Sequence, residues 1–512
     1  MLCVSLLIIV LDNSILNVAI PTLIRDLHAT NSQVQWMVDS YTLVFAGLLL
    51  TMGAMGDRYG RRGALQMGYL LFGLGSLASA FATTANQLIL TRGFMGIGGA
   101  LIMPATLSII TNVFPPHERG RAIGVWAGTA GIGVALGPLT GGFLLEHFYW
   151  GSIFLVNLPI VALGVAAGFV LIPTSKDPSA PKLDPLGAAL SIVSLVAIVY
   201  ALIEAPDIGW TAPRTLAVFA GGLIALGAFV WWERRSDHPM LDVGFFKNPR
   251  FSAANAAITL TFFAMFGSIF LLTQYLQFTL GYSPLESGIR MLPYAGTMMV
   301  VAPLSSRVVE RFGSKNTIAM GLGLAGVALI VFGGLTVNST YGDLVWRFVI
   351  LAAGMGLVMA PATDSVMGSL PLAKAGVGSA VNDTTRQVGG ALGVAIIGSV
   401  VSSVYGSKIG DFFAGTPAPA AAVDAAKNSL GGAYGVAQQL SAGSNPNGGK
   451  LSAGLIDTAN QAFVEAFRWG TRVGAVVLAI GVIVVLRFLP ARASEASIAE
   501  QTHDLAAEGV RP

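Results

Sequence analysis

Residues Gly53–Arg62 read Gly-Ala-Met-Gly-Asp-Arg-Tyr-Gly-Arg-Arg, and a related stretch, Glu310–Lys315, reads Glu-Arg-Phe-Gly-Ser-Lys. Each stretch separates two apolar runs. In both, an acidic residue and an arginine are followed by an aromatic residue and a glycine. An arginine-rich loop after any membrane span would explain the basic residues, but it would not explain this spacing or its recurrence. The recurrence indicates two related halves within one polypeptide.

Other matched segments support an internal repeat. They are Met103–Thr106 with Ala360–Thr363, and the glycines Gly133 and Gly137 with Gly389 and Gly393. The separation between copies stays near half the length of the 512-residue chain. Parallel repeats of this kind build the two bundles of a large class of secondary transporters, with a site near the membrane midplane. The pattern predicts six spans, two inserted spans and six further spans.

The composition indicates a polytopic all-α membrane protein. The chain is 54% hydrophobic and only 11% charged, whereas soluble domains carry about 25% charged residues. A net charge of +3 is too small to indicate a nucleic-acid partner. The only cysteine, Cys3, lies in the first apolar run, so an intramolecular disulfide is impossible.

Fourteen apolar segments approach the ~20 residues that a bilayer requires. They cover 2–23, 35–56, 63–82, 87–110, 122–145, 152–172, 185–204, 214–232, 251–273, 286–309, 316–335, 345–368, 377–404 and 464–489. The predicted units are a six-helix bundle (1–172), two inserted helices with cytoplasmic loops (173–250) and a second six-helix bundle (251–489). The second bundle contains a long extracellular loop (405–463), which is either flexible or formed of short amphipathic helices. Residues 490–512 are predicted to be a cytoplasmic tail.

Basic residues predict the orientation. They concentrate in the loops that follow even-numbered spans, and such an excess marks cytoplasmic loops; examples are Arg58, Arg61, Arg62, Arg119, Arg121, Arg234, Arg235, Arg307, Arg311 and Lys374. Both termini are therefore expected in the cytoplasm. The first apolar run contains Asp12 and ends in Pro21 without a cleavage-like site, so it is interpreted as a retained span and not a signal peptide.

Three charged residues within predicted spans are candidates for proton coupling. Asp12 lies near the middle of the first span, where a charge costs about 2.5–3.5 kcal/mol on insertion scales. Arg92 in the fourth span is long enough to reach Asp12, although it could instead extend to the outer headgroups. Asp39 in the second span is either a further coupling acid or an ordinary membrane-edge carboxylate.

The Gly53–Arg62 stretch is predicted to form a cytoplasmic gate, with Gly53, Gly56, Asp57, Arg58, Gly60, Arg61 and Arg62 as its residues. Glycines permit close helix approach. Asp57 is expected to face the N-terminus of the thirteenth span near Gly376–Ala380, where a carboxylate gains about 0.3–1 kcal/mol. Three other charges near the same face are interpreted as gate or interface charges: Asp364, Asp383 and Arg386.

The fifth span contains a second cluster of small residues. The segment Gly133–Gly142 includes Gly133, Gly137, Pro138, Gly141 and Gly142. Glycines four residues apart allow backbone contact between helices, and an internal proline removes one hydrogen bond. Generic packing would explain one glycine pair, but the combination favours a moving helix interface.

These features together resemble the major facilitator superfamily. Gly53–Arg62 is similar to its loop signature between helices 2 and 3, Leu88–Leu101 to its helix 4 motif, and Gly133–Gly142 to the helix 5 signature found mainly in exporters. The fourteen predicted spans, Leu11–Pro21 and Trp36–Tyr41 resemble the fourteen-helix drug:proton antiporters of that superfamily. Tyr149–Pro159 departs from the family pattern, which usually has an arginine between two tryptophans.

The resemblance implies a multi-pass plasma-membrane protein that exports lipophilic, cationic drugs, dyes or antibiotics in exchange for protons. The alternative is transport of another metabolite, lipid or peptide on the same scaffold. A membrane-embedded enzyme and a non-transporting receptor are further alternatives, but no catalytic constellation or Walker A sequence is present. The expected partners are a small lipophilic substrate, protons and the lipid bilayer. No cofactor or metal is expected, and the chain is expected to be a monomer.

Overall fold

The computed structural model describes residues 1–27, 29, 31–175, 184–414, 418–442 and 448–490, and these residues form helices without strands. The α-helices are α1 (Leu2–Leu27), α2 (Asn31–Tyr59), α3 (Arg61–Ala80), α4 (Ala85–Val113), α5 (Pro116–His147), α6 (Ser152–Leu155), α7 (Asn157–Leu171), α8 (Pro185–Ile208), α9 (Pro213–Glu233), α10 (Pro249–Gln274), α11 (Pro284–Arg290), α12 (Leu292–Phe332), α13 (Tyr341–Met367), α14 (Ala375–Phe413), α15 (Ala420–Asn428), α16 (Leu430–Ala442) and α17 (Gly448–Phe488). The predicted all-α class is confirmed. Residues 491–512 of the predicted tail lie outside the described residues.

Twelve helical segments of the described chain are long and apolar enough to cross a bilayer. This is fewer than the fourteen predicted spans. One reason is that the predicted spans 286–309 and 316–335 are counted together, as Leu285–Phe332. Within α12 the backbone leaves the helical conformation at Gly313, where φ is 78° and ψ is 160°. Another reason is that the 20-residue helix α3 is not among the twelve.

The two related stretches of the repeat adopt related backbone conformations. Gly60, between α2 and α3, has φ 114°, and Gly313 in α12 has φ 78°. Both values lie in the region that side chains with a Cβ avoid and that glycine occupies readily. The glycine at the same position of each copy is therefore required by a sharp change of chain direction, which the sequence repeat alone could not show.

Helix packing within the halves also repeats. In the first half α5 packs along α1, and in the second half α14 packs along α10. Gly389 and Gly393 make the second contact possible, because a Cβ on either would overlap the backbone of Thr259 or Phe263. Small residues allow such backbone contact between helices in a membrane.

The two halves meet through two equivalent helix pairs, α2 with α14 and α5 with α12. A Cβ placed on Gly53 would lie 2.6 Å from the carbonyl oxygen of Gly376. In the other pair, a Cβ on Gly124 would lie 2.6 Å from the carbonyl oxygen of Ala302. Glycine therefore brings the halves to backbone distance on both sides. The end of the bundle at which α2 passes into α3 is called the Asp57 end below.

The inserted helices α8 and α9 pack against each other beside the junction of the halves. Helix α8 also contacts α2 and α14, one helix from each half. A Cβ on Gly47 of α2 would lie 2.6 Å from a methyl carbon of Val196. Only 17% of the apolar stretch of α9 is buried within the protein. Such a helix faces lipid over most of its surface.

This arrangement bears on whether the inserted pair lines a water-filled path. In a Cys3→Ser background, single cysteines along Leu186–Ile203 should stay unreactive toward water-borne thiol reagents, because α8 packs between protein and lipid. Labelling is measured in permeabilised vesicles by mass shift. Glu118→Cys is the positive control, because the Glu118 side chain is 59% exposed at a helix start. A continuous reactive stripe that substrate protects would contradict the prediction.

The segment 405–463, predicted to be a long loop, is largely helical where it is described. Helix α14 continues to Phe413, α15 and α16 follow, and α17 begins at Gly448. The Tyr434 hydroxyl donates to the carbonyl oxygen of Phe278 at 2.8 Å, and Asn460 Nδ2 donates to that hydroxyl at 3.0 Å. The short helices are thus held against the end of α10 and against α17.

Candidate functional site

A buried ion pair joins α1 to α4. The carboxylate Oδ2 of Asp12 contacts Nη1 of Arg92 in a direct salt bridge. Asp12 is 3% exposed and Arg92 is fully buried. The pairing expected from the sequence is therefore present, and the alternative in which Arg92 extends to headgroups does not fit its position. A charge at this depth is stable only with a partner.

Arg92 has further acceptors besides Asp12. Its Nε donates to the Met37 carbonyl oxygen at 3.2 Å, and Nη2 donates to Asn13 Oδ1 at 3.4 Å. The guanidinium carbon lies 4.6 Å from the ring centroid of Tyr41, a cation–π distance. These contacts fix the side chain from three sides. They would also continue to hold its charge if the contact with Asp12 were lost.

The second oxygen of Asp12 has a partner that sequence reasoning missed. Asn157 Nδ2, in the first turn of α7, donates to Asp12 Oδ1 at 2.9 Å and also lies 3.0 Å from Ser76 Oγ. Asn157 and Ser76 are fully buried. The available signal was an asparagine inside an apolar run, in the same Tyr149–Pro159 stretch that departs from the family pattern.

Asp39, the third candidate, lies apart from this pair on α2. It is partly exposed, whereas Met37 and Tyr41 on either side of it are buried. The salt bridge that the structure gives Arg92 is with Asp12. Asp39 is therefore not part of the buried ion pair. Its role as a further coupling acid or as a membrane-edge carboxylate stays a prediction.

The ion pair defines what the site can do chemically. A carboxylate can take up a proton, and once neutral it no longer compensates an adjacent guanidinium. Removing one partner of a buried pair costs about 3–5 kcal/mol because the other charge stays buried. Protonation of Asp12 would therefore change the relative stability of conformations that hold α1 and α4 together. All groups of the pair belong to the first half, and they are closed to solvent in this conformation.

Asp57 accepts two backbone hydrogen bonds across the junction of the halves. Its Oδ1 accepts from the amide of Gly376 at 2.9 Å, and Oδ2 accepts from the amide of Val377 at 3.0 Å. Asp57 is 4% exposed. The predicted position of Asp57 at the N-terminus of this helix, now α14, is confirmed. The carboxylate satisfies two amides that the helix itself cannot pair.

Arg61 completes this contact from the start of α3. Its Nε donates to Asp57 Oδ1 at 3.0 Å, and its Nη2 donates to the carbonyl oxygen of Leu372 at 2.7 Å. Arg61 is fully buried. One carboxylate and one guanidinium of the first half thus bind the backbone immediately before and within the first turn of α14. Both must lose these contacts if the halves separate at the Asp57 end.

Other residues of the Gly53–Arg62 stretch make different contacts. Arg62 donates to the carbonyl oxygen of Ile172 at 3.2 Å, so it ties α3 to the end of α7 within the first half. Arg58 lies 5.4 Å from the ring of Tyr59. A Cβ on Gly56 would make only ordinary contact with Ala64, at 3.5 Å. Gly53, Asp57 and Arg61 of this stretch contact the second half directly.

The small residues of α5 face two different partners. A Cβ on Gly133 would lie 2.8 Å from a methyl carbon of Val10, and one on Gly137 would overlap Ser14. Val10 and Ser14 flank Asp12 on α1. Pro138 and Gly142 face α11 in the second half: Pro138 lies against Gly288, and a Cβ on Gly142 would lie 3.5 Å from Leu285. Gly141 faces α1 at Ile15. The cluster thus links the helix of Asp12 to the second half.

This packing makes Gly137→Val a sensitive variant. The added side chain must displace α1 at Ser14, because Gly137 has no free space on that face. Overpacking of this kind costs about 1–3 kcal/mol, and we expect transport to fall together with thermal stability. Gly398→Val on α14 is the matched control, because a Cβ there meets nothing within 4 Å. Transport by Gly137→Val equal to that of the control would contradict the prediction.

A further charged contact lies between the halves. Asp364 of α13 interacts electrostatically with Arg119 of α5 and with Arg250 of α10. A Cβ on Gly120 would lie 4.0 Å from the Asp364 carboxylate. Asp364 is therefore placed as the interface charge that was predicted. The other predicted interface charges, Asp383 and Arg386, pair with each other deeper along α14.

A cavity of about 570 Å³ opens at the Asp57 end of the first half. It lies between the start of α1, the end of α4, the start of α5 and the end of α7, and its lining includes Ile110, Glu118, Arg121 and Trp126. Its size is within the range of sites for drug-sized molecules, about 300–1,000 Å³. Its wall is mostly apolar, with the two charged residues on α5.

Repeated helical halves, long apolar helices and charges buried between those helices define a multi-pass membrane transporter. Residues 2–394 match the Major Facilitator Superfamily, and the chain belongs to this family. The resemblance inferred from the sequence is confirmed at the level of the superfamily.

Relatives with curated names include exporters. The chain is 36% identical over 464 residues to the multidrug efflux pump LfrA of Mycolicibacterium smegmatis, which covers 90% of each chain. It is 34% identical to the tetracenomycin C resistance and export protein of Streptomyces glaucescens, over 80% of this chain and 76% of that protein. It is 34% identical to the methyl viologen resistance protein SmvA of Salmonella typhimurium, over 89% and 90%.

Solved structures agree with the fold. The human organic anion transporter MFSD10 aligns with TM-score 0.61 and 13% identity, over 94% of this chain and 97% of that chain. The proton:xylose symporter XylE aligns with TM-score 0.58 and 14% identity, over 96% and 94%. At these identities the likeness concerns the fold alone.

Proposed function

We propose that this protein is a proton-coupled antiporter that exports lipophilic, cationic compounds by alternating access between its two halves. The single observation that carries the proposal is the fully buried pair of Asp12 and Arg92, whose charges are costly unless they are used. The efflux and resistance names of the relatives support the export direction and the substrate class. No cofactor is part of the proposal, and the functional unit is one chain.

The coupling step is uptake and release of one proton by Asp12. When Asp12 is protonated, Arg92 keeps the Met37 carbonyl oxygen and the Asn13 amide oxygen as acceptors. The ion pair can therefore separate while the guanidinium still has hydrogen-bond acceptors. Asn157 can then release the neutral carboxyl group. Exchange of one proton for one monovalent cation moves no net charge, so the pH gradient drives it, and each unit of pH difference supplies about 1.4 kcal/mol, equivalent to a tenfold substrate gradient. This is sufficient for useful export without ATP.

The proposal places fourteen spans in a plasma membrane with both termini in the cytoplasm. Support comes from α3, a 20-residue helix, and from the break at Gly313, which divides Leu285–Phe332 into two lengths of about one span each. Counting α3 and both parts raises the twelve apolar segments to fourteen. The Asp57 end is then cytoplasmic, because the arginine-rich stretch after α2 lies there.

In this orientation the two halves are in contact at the cytoplasmic end. Asp57 and Arg61 hold the start of α14, and Asp364 of α13 interacts with Arg119 of α5. These contacts belong to the outward-facing side of the cycle. Substrate entry from the cytoplasm requires both sets to part.

Reconstituted vesicles test the proposed function. Purified protein in liposomes with an imposed pH gradient should accumulate ethidium, a fluorescent lipophilic cation, and collapse of the gradient by nigericin should abolish accumulation. Empty liposomes under the same gradient are the control. Ethidium movement that ignores the pH gradient would overturn proton coupling, and absence of movement for ethidium and for a panel of lipophilic cations would overturn the substrate class.

A further inference from the structure

A second buried ion pair lies on α14, outside the Asp12 site. Asp383 is 1% exposed and Arg386 is 6% exposed, and they are separated by 3.7 Å between Asp383 Oδ1 and Arg386 Nη1. This distance brings the charges together but is too long for a hydrogen bond. The two residues are one helical turn apart, so the pair does not by itself connect different helices.

The carboxylate of Asp383 has few hydrogen bonds. Asn382 Nδ2 approaches Oδ1 at 3.4 Å, and Oδ2 has no donor among the described residues. Asp12, in contrast, has both oxygens engaged, by Arg92 and by Asn157. A buried carboxylate oxygen without a donor is costly as an anion, whereas a protonated carboxyl group avoids most of that cost.

Arg386 is held by groups other than Asp383. Its Nη2 donates to Thr363 Oγ1 at 2.9 Å. Its guanidinium carbon lies 5.1 Å from the ring of Trp126 and 5.3 Å from the ring of Phe262. The arginine can therefore keep its charge in place while Asp383 changes protonation state.

Trp126 gives the pair its relation to the transport cycle. It belongs to α5 of the first half, whereas Asp383 and Arg386 belong to the second half. Trp126 also lines the cavity of about 570 Å³ that opens at the Asp57 end. One side chain of the first half therefore lies both against Arg386 and at the wall of that cavity. If α5 moved away from α14, Trp126 would no longer lie over Arg386.

Arg386 is the charged group that acts on Asp383 in this conformation. Several charged groups on helices packed around α14 are engaged elsewhere: Arg92 with Asp12, Asp57 with Arg61, Asp364 with Arg119 and Arg250, and Arg468 with the Gly333 carbonyl oxygen. The protonation of Asp383 is therefore governed mainly by Arg386 and by access of water.

We propose that Asp383 is a second proton-binding group, which exchanges its proton with water when Trp126 moves away from α14 with the first half. The carboxylate takes one proton from water on the side to which it is open and returns it to water on the other side, with no other bond made or broken. Use of this proton in export rests on the proposed function, whereas proton binding itself does not. The transporter would then couple export to two carboxylates, one within the first half and one at the junction.

Infrared difference spectroscopy tests proton binding directly. Purified protein with isotope-labelled aspartate is titrated over the pH range in which it stays folded, and the carbonyl stretch of protonated aspartic acid is recorded. Asp383→Asn should remove one aspartic-acid band that Asp411→Asn, at an exposed position of the same helix, retains. If Asp383→Asn does not fold, Asp383→Glu replaces it, and the band should then change to the unlabelled glutamic-acid position. Identical band sets in the wild type and in the Asp383 variant would overturn the proposal.

Transport measurements test whether this proton is coupled. At a membrane potential of about 100 mV, loss of one coupled proton should lower the ethidium gradient that vesicles sustain by about 50-fold. An unchanged gradient in Asp383→Asn would overturn the coupled role. A wild type that sustains no proton-dependent gradient would instead refute the proposed function, and the infrared result would still decide whether Asp383 binds a proton.

Discussion

Asp12→Asn is expected to abolish export against a gradient while the protein still inserts in the membrane. Asparagine keeps the size of the side chain and can still accept from Asn157, but it can neither bind nor release a proton. Active ethidium export in vesicles with a pH gradient should fall to the level of empty liposomes. Downhill movement of ethidium need not be lost, because the halves can still exchange conformations without coupling.

The structure adds a control to this experiment. Asp12→Asn leaves Arg92 fully buried without its counter-ion, and such a change costs about 3–5 kcal/mol. The double variant Asp12→Asn with Arg92→Gln removes both charges, so it should recover much of the lost stability and still fail to export. Asp411→Asn serves as the matched single substitution at an exposed position. Uphill export by Asp12→Asn with proton flux intact would exclude Asp12 as the coupling acid, and Asp383 and Asp39 would become the next candidates.

Asp57→Asn is expected to slow transport roughly tenfold or more and to leave ethidium binding largely unchanged. The carboxylate accepts from two amides of α14 and from Arg61. An asparagine has one acceptor oxygen, so its NH₂ group would face one of these donors. Hydrogen bonds to charged groups contribute about 1.5–3 kcal/mol, and 1.4 kcal/mol already corresponds to a tenfold change in an equilibrium. The state closed at the Asp57 end should therefore become less populated.

Two measurements on one preparation separate a gate from a binding residue. Ethidium affinity is measured by fluorescence anisotropy in detergent, and the initial rate of export is measured in liposomes. Arg62→Gln is an informative comparison, because Arg62 contacts only the first half through Ile172 in the contacts described. It should affect transport less than Asp57→Asn does. Equal losses of affinity and of rate in Asp57→Asn would count against a gating role.

Much of the architecture could be predicted from the sequence because a bilayer imposes local rules. Apolar runs of limited length predict helices, since backbone groups in lipid must be paired within their own segment. The placement of Asp57 near the start of α14 could also be predicted, because basic loops assign both segments to one side. The helical cap formed by α15 and α16 was less predictable, since small and polar residues are compatible with a loop or with short helices.

The all-helical membrane class, the repeated halves and the residue types available for proton chemistry follow from the amino-acid sequence alone. The partners of these residues depend on the folded arrangement of the helices: Asp12 pairs with Arg92 and Asn157, Asp57 with the first amides of α14, and Arg386 lies against Trp126. Hydropathy along the sequence locates each membrane-spanning segment, and the place of a residue within that segment gives its approximate depth in the bilayer. Which side chains touch depends on how each helix is rotated about its axis and how closely it packs against its neighbours. The close packing depends on glycines that are distant in sequence.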